Sequence, residues 1–178
     1  MNIALRLLLT LFVAVAIAAC KTTEPAPEPS TDDTPTRQAP VEPVTTAPAL
    51  DPRDYSDARN FDNSESLLSK RVIYFDFDKS NVKAEYRDII AAHAAYLGAH
   101  SSARVTLEGH ADERGTREYN LGLGERRGNS VTGLLSAGGG SGSQLDVVSY
   151  GEERPVCRVS NEDCWWQNRR VEIVYTAR

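Results

Sequence analysis

The stretch Glu108-Gly109-His110-Ala111-Asp112-Glu113-Arg114-Gly115-Thr116 packs one histidine, three carboxylates and a guanidinium into nine residues. Asn120, Leu123 and the run Glu125-Arg126-Arg127 follow within one helix length. An Asp and several Arg at the mouth of one cleft suit a zwitterion. The carboxylate takes an ammonium, and the planar guanidinium fork takes a carboxylate through two parallel hydrogen bonds. The same charges could equally form a surface ion-pair network, worth ~0–1 kcal/mol per exposed pair.

Nucleophilic and metal chemistry fit less well. His110 and Asp112 are two apart at a strand end and so are expected to point the same way, which is a start for a metal site. His93, His100 and Glu113 supply no third ligand at characteristic spacing, and there is no HExxH. No serine sits in a nucleophile elbow. His93 falls on the apolar face of its helix and reads as a core histidine; His100 reads as solvent-exposed. The sequence therefore argues for a binding module with no catalytic residues, no metal and no cofactor.

The elements that must hold the cluster follow from periodicity. Arg71–Asp76 is β-branched and aromatic, a strand. Tyr86, Ile89, Ile90, His93, Ala94 and Leu97 recur at helical spacing, predicting a helix over Lys83–Gly98. Arg104–Gly109 alternates as a second strand. A second helix is predicted over Tyr119–Leu135, with Leu123, Arg127, Val131 and Leu134 on one face. Gly122, Gly124, Gly128 and Gly133 each weaken that helix by up to ~1 kcal/mol relative to Ala. Leu145–Tyr150 and Val171–Tyr175 are the last two strands, the final one antiparallel to a neighbour because its connection is too short for a helical crossover. The cluster thus begins where a strand ends and closes inside the next helix, the edge at which open sheets bind ligands. Neither Asp112 nor Arg127 is expected in the core.

The flanks read differently. Arg6 is the only charge before an apolar run of eleven residues, Leu7–Ile17, broken only by Thr10. That is too short for a ~30 Å bilayer core, which needs ~20 residues, and it fits a secretory signal peptide over 1–19. Ile17-Ala18-Ala19-Cys20 resembles a bacterial lipobox, so Cys20 is the expected lipidation site, with Lys21 favouring the outer membrane. Residues 20–66 hold eight of the nine prolines and carry a net charge of −6 from residue 21 onward. They are expected to be a disordered tether, with Tyr55 and Phe61 able to dock before the domain. Residues 67–178 carry fifteen charges of each sign, lacking the basic excess that nucleic-acid binding uses. With Cys20 lipidated, Cys157 and Cys164 remain, and an exported chain favours a disulfide between them. A zinc site would need two further ligands, and no His lies in that loop. Trp165 and Trp166 could stack on a sugar or simply pack that loop.

The segments VIYFDFDKS (72–80), AHAAYL (92–97), VTLEGHADERGTREYN (105–120), LGERR (123–127), VSYGEERP (148–155) and NRRVEIVY (168–175) resemble the OmpA-like peptidoglycan-binding domain family, and within it the peptidoglycan-associated lipoproteins. The resemblance covers nearly all of 70–178, with order and spacing kept. It implies an α+β sandwich, a mixed four-stranded sheet with two main helices packed on it. It further implies an outer-membrane lipoprotein of a Gram-negative bacterium, its domain in the periplasm. The ligand it implies is the diaminopimelate of uncrosslinked peptidoglycan stem peptides, whose free end is a zwitterion. On that pattern Asp112 holds the ammonium, Arg127 the carboxylate, and Arg114 is a further contact. Asn120 and Leu123 line the pocket, and Phe75, Asp76 and Phe77, running on to Asp78, form a wall. The same resemblance implies a role in the Tol-Pal system and cell division, with TolB, TolA and OmpA-like proteins as partners. Gly128 and Gly138-Gly139-Gly140 depart from the family pattern and suggest a softer second helix. The alternative is a periplasmic adaptor used mainly for protein contact, including a stator-type anchor. That type needs a membrane helix with an ionisable residue, and residues 1–20 hold no Asp or Glu.

Overall fold

The computed structural model describes residues 48–178; the expected signal peptide, Cys20 and most of the tether lie outside the described residues. Four strands form one mixed sheet in the order β1-β4-β2-β3. These are β1 (Val72–Tyr74), β2 (Arg104–His110), β3 (Leu145–Gly151) and β4 (Arg170–Ala177). β2 and β3 run parallel, joined through helix α2 (Arg117–Ala137). β4 inserts between β1 and β2 and is antiparallel to both, as expected, although its connection from β3, residues 152–169, is long enough for a crossover and holds a short helix. Helix α1 (Arg87–Ala99) links β1 to β2. Val105, Leu107, Val171 and Ile173 alternate inward and meet Ile90, Ala94 and Leu97 of α1 and Val131 and Leu135 of α2.

Three expectations about the elements change. The buried stripe of α2 is Leu123, Arg127, Val131 and Leu135; Leu134 is 37% exposed. Four-residue steps from Leu123 reach 135, not 134. Two glycines of α2, Gly124 and Gly128, do more than soften it. A Cβ on Gly109 would lie 2.0 Å from the Gly124 carbonyl oxygen, and one on Gly128 would lie 2.6 Å from Val147. Only glycine lets α2 lie this close to β2 and β3, which brings Arg127 against the end of β2. The loop before β4 also contains a third helix, α3 (Glu162–Asn168), capped by Asn161, whose side chain accepts from Cys164 N at 3.1 Å. The Cys157–Cys164 disulfide closes this loop, with Cα atoms 5.0 Å apart.

The boundary expected between 66 and 67 falls inside the folded unit. Ala58–Phe61 forms a 3₁₀ turn capped by Asp57. Asn60 donates to the Asp51 and Asp54 carbonyls at 2.7 and 2.8 Å. Phe61 is 2% exposed, edge-on to Tyr96 and Tyr175 with centroids 4.7 and 4.6 Å away. Composition averaged over 20–66 hides this, because the prolines stop at Pro52. Among the described residues no helix is long and apolar enough to cross a membrane.

Candidate functional site

Where β1 and β2 end beside α2, a cleft of about 210 Å³ opens between Phe77, Asp78, Asp112, Arg114, Gly115, Tyr119, Asn120, Leu123 and Arg127. Of the residues expected to bind, Asp112, Arg114, Asn120, Leu123, Arg127 and Phe77 come together here. Phe75 and Asp76 do not. Phe75 is core beneath the cleft, with the Arg127 guanidinium 5.3 Å over its ring. The Asp76 carboxylate pairs with Lys83 at 2.9 Å, while its carbonyl serves the site.

Arg127 is the unusual member. It has no exposed surface, although Arg is almost never fully buried unless paired. Its Nε donates to the Lys79 carbonyl at 2.8 Å, and its two terminal nitrogens donate to those of His110 and Asp76 at 2.7 and 3.2 Å. Three of its five N–H groups are thereby used, and among the described residues it forms no ion pair. Burial pulls its pKa down to about 10, partly opposed by the Asp112 charge, so it stays a cation at neutral pH.

Asp112 is the opposite case, 4% exposed and saturated. It accepts from Arg114 N at 3.1 Å, from Arg114 Nε at 3.2 Å and Nη2 at 2.6 Å, and from Arg169 Nη1 at 3.2 Å. Burial pushes its pKa up, but the bonds from Arg114 and Arg169 outweigh burial and leave it below the usual carboxylate range. Both Asp112 and Arg127 were expected outside the core, and both lie within it.

The loops are fixed by polar bonds. Thr116 caps α2 by accepting from Tyr119 N at 3.2 Å. The Asn120 amide donates to the carbonyls of Asp112 and Arg114, at 3.1 and 3.2 Å, and to the Glu152 carboxylate. Asp78 adopts a left-handed backbone with φ 54°, tolerated best by Gly, Asn and Asp, and the Tyr119 hydroxyl donates to its carboxylate.

His110 and Asp112 diverge, because the pairing register shifts between Gly109 and His110. His110 stacks on Tyr150 with centroids 5.5 Å apart and lies 3.9 Å from Glu172, away from the cleft. His93 is a satisfied core histidine, as expected. His100 is half-buried, stacked on Tyr96 at 4.2 Å, because its ring covers the end of α1.

Three side chains in or beside the cleft escaped sequence reasoning, Tyr119, Glu162 and Arg169, and Trp165 was read only as stacking on a sugar or packing its loop. Glu162 pairs with Arg169 and lies 3.6 Å from Arg114. Trp165 donates to Glu113 at 3.0 Å and packs on Arg114; Trp166 turns elsewhere, edge-on to Tyr74. The NRRVEIVY segment held the one available signal, since Arg169 precedes a strand that must lie beside β2.

The sheet order β1-β4-β2-β3 with its helices defines an OmpA-like α+β domain. The profile of the OmpA family matches residues 74–169. The chain is 47% identical over 104 residues to the peptidoglycan-associated lipoprotein of Pasteurella multocida, covering 58% of this chain and 69% of that one. It is 52% identical over 108 residues to that of Pseudomonas putida, covering 61% and 64%. The crystal structure of the peptidoglycan-associated lipoprotein from Burkholderia pseudomallei superposes with a TM-score of 0.64 at 41% identity, covering 65% of this chain and 98% of that one. The C-terminal domain of Helicobacter pylori MotB shares the fold at 19% identity, with a TM-score of 0.55 over 60% of this chain and 83% of that one. The chain belongs to the OmpA family.

Proposed function

We propose that the cleft binds, without covalent chemistry, the free amino-acid end of diaminopimelate in uncrosslinked peptidoglycan stem peptides. The observation that carries this reading is Arg127, a buried cation beside a cavity with no carboxylate partner among the described residues. Burying an unpaired charge costs several kcal/mol, and an incoming carboxylate offsets that cost. Asp112 and Asp78 supply the negative side for the ammonium. All four acceptor directions of Asp112 are occupied, so the ammonium reaches it by replacing a bond from Arg114, the more exposed partner. Arg114 then turns to the ligand's carboxylate.

The names of the relatives support the wider reading. The protein is an outer-membrane lipoprotein anchored through Cys20, with its domain in the periplasm tying that membrane to the cell wall. By family resemblance it serves the Tol-Pal system in envelope integrity and cell division, with TolB, TolA and OmpA-like proteins as partners.

The test is binding to purified sacculi with free diaminopimelate or free lysine as competitor. Diaminopimelate should compete and lysine should not, because lysine lacks the second carboxylate. Asp112→Asn should weaken binding by about 10- to 150-fold, the worth of one charge-assisted hydrogen bond. Circular dichroism must confirm a folded variant, since Arg169 also loses a partner. Wild-type retention on sacculi that ignores diaminopimelate would reject the cleft as the site.

A further inference from the structure

The disulfide loop carries side chains that the proposed function leaves unexplained. Helix α3 has seven residues, too few to persist alone in water. It is fixed at both ends by tertiary bonds. The disulfide ties Cys164 to Cys157. The Asn168 side chain accepts from Val156 N and Cys157 N at 2.9 and 3.1 Å and donates to Cys157 O at 2.7 Å. This framework delivers Trp165 against Arg114, a residue of the cleft's lining. The Arg114 guanidinium lies 4.1 Å from the Trp165 ring and 4.0 Å from the Phe77 ring. Two rings that close to one planar cation must flank it. The bond from Trp165 Nε1 to Glu113 orients the indole.

Stacking holds a guanidinium in a plane without dictating its hydrogen-bond partners within that plane. Arg114 can therefore exchange Asp112 for a ligand carboxylate while staying between the rings. Without the rings, this long side chain is free to leave the cleft. We infer that Trp165 is a positioning residue acting through Arg114, and that the Cys157–Cys164 disulfide is the part of the fold that keeps Trp165 in place. The inference rests on the reading of the cleft as a diaminopimelate site.

The experiment measures diaminopimelate binding by calorimetry for the wild type, Trp165→Phe, Trp165→Ala, Cys157→Ser/Cys164→Ser, and the triple variant with Trp165→Ala. In parallel, the ligand-free Arg114 Nε–H resonance is recorded, which two flanking rings shift strongly. Trp165→Ala should weaken binding roughly 10-fold, the scale of one cation–π contact, and Trp165→Phe should restore most of it. The double serine variant should weaken binding in the same direction. The triple variant should be no weaker than the worse of its parents, because both changes act through one contact. The Arg114 resonance should move toward its random-coil position in Trp165→Ala and in the serine variant. Unchanged or tighter binding by Trp165→Ala overturns the inference, as does an Arg114 resonance already unshifted in the wild type. A wild type that shows the shifted resonance yet does not bind diaminopimelate overturns the cleft reading instead and leaves the positioning of Arg114 established.

Discussion

His93 on α1 and Arg127 on α2 are both fully buried, and burial pulls both pKa values down, to about 4 and about 10. The histidine answers by being neutral at pH 7. Its Nε2 faces the Lys70 carbonyl at 3.0 Å and so carries the proton; its Nδ1 then accepts from the Tyr175 hydroxyl at 3.0 Å. Burial raises the Tyr175 pKa, so that proton is always available. Both ring nitrogens are matched. The arginine cannot discharge at neutral pH. It is matched to carbonyl dipoles, faces a cleft, and among the described residues forms no ion pair. A buried polar group is therefore not by itself a sign of function. An uncompensated charge held rigidly beside a void is one, because the fold alone gains little by keeping it.

The comparison breaks first on stability. Phe61 belongs to the His93 region, packed on Tyr96 and Tyr175. Phe61→Ala should cost about 3–5 kcal/mol in denaturant unfolding yet leave diaminopimelate affinity unchanged in the folded protein. A parallel loss of affinity would show that the two regions are coupled, and would remove the contrast.

The second test is pH. His93 has a folded pKa of about 4 against an ordinary 6.5. Between those values the unfolded chain binds the proton and the folded one does not. Stability is fully present above about pH 6.5 and falls as pH drops toward 4, by up to about 3 kcal/mol for this one group. His93→Gln should flatten the stability profile in that window by about 1.4 kcal/mol per pH unit. Equal slopes for the two proteins would mean that His93 takes up no proton on unfolding.

Sequence reasoning reached the four strands and the two long helices, because each rests on residue type and short-range spacing; Asp112 and Arg127, which line one cleft, were singled out through the family resemblance. It missed what depends on long-range closure. Arg169 reaches Asp112 from 57 positions away, through a strand inserted between two others. Helix α3 is under two turns long and shows no periodicity; its caps and disulfide hold it. The glycines of α2 were legible as a helix-weakening set, but Gly124 and Gly128 serve close approach to β2 and β3, and that needs the partner strand. The expectation that Asp112 and Arg127 lie outside the core failed for a related reason. Charge predicts exposure only until the ring of carbonyls and guanidinium groups around it is known.

The smallest expected effect sharpens the comparison most, because it separates binding from stability at a single atom. Asp78 is exposed, lines the cleft, and holds a left-handed backbone. Asparagine tolerates that backbone as aspartate does, and its side-chain oxygen can still accept from the Tyr119 hydroxyl. Asp78→Asn therefore removes one negative charge and little else, so unfolding free energy should change by less than about 0.5 kcal/mol, the usual range for a surface substitution. If the cleft takes an ammonium, the lost attraction is that of an exposed pair, up to ~1 kcal/mol or about 5-fold in affinity. The difference between wild type and variant should shrink as salt rises, because an exposed charge is screened within a Debye length of ~8 Å at physiological ionic strength. Calorimetric titration with diaminopimelate at low and high salt measures both. A variant that binds more tightly at low salt would show that the ligand brings net negative charge to this side of the cleft, and would reverse the ammonium and carboxylate assignments made for Asp112 and Arg127.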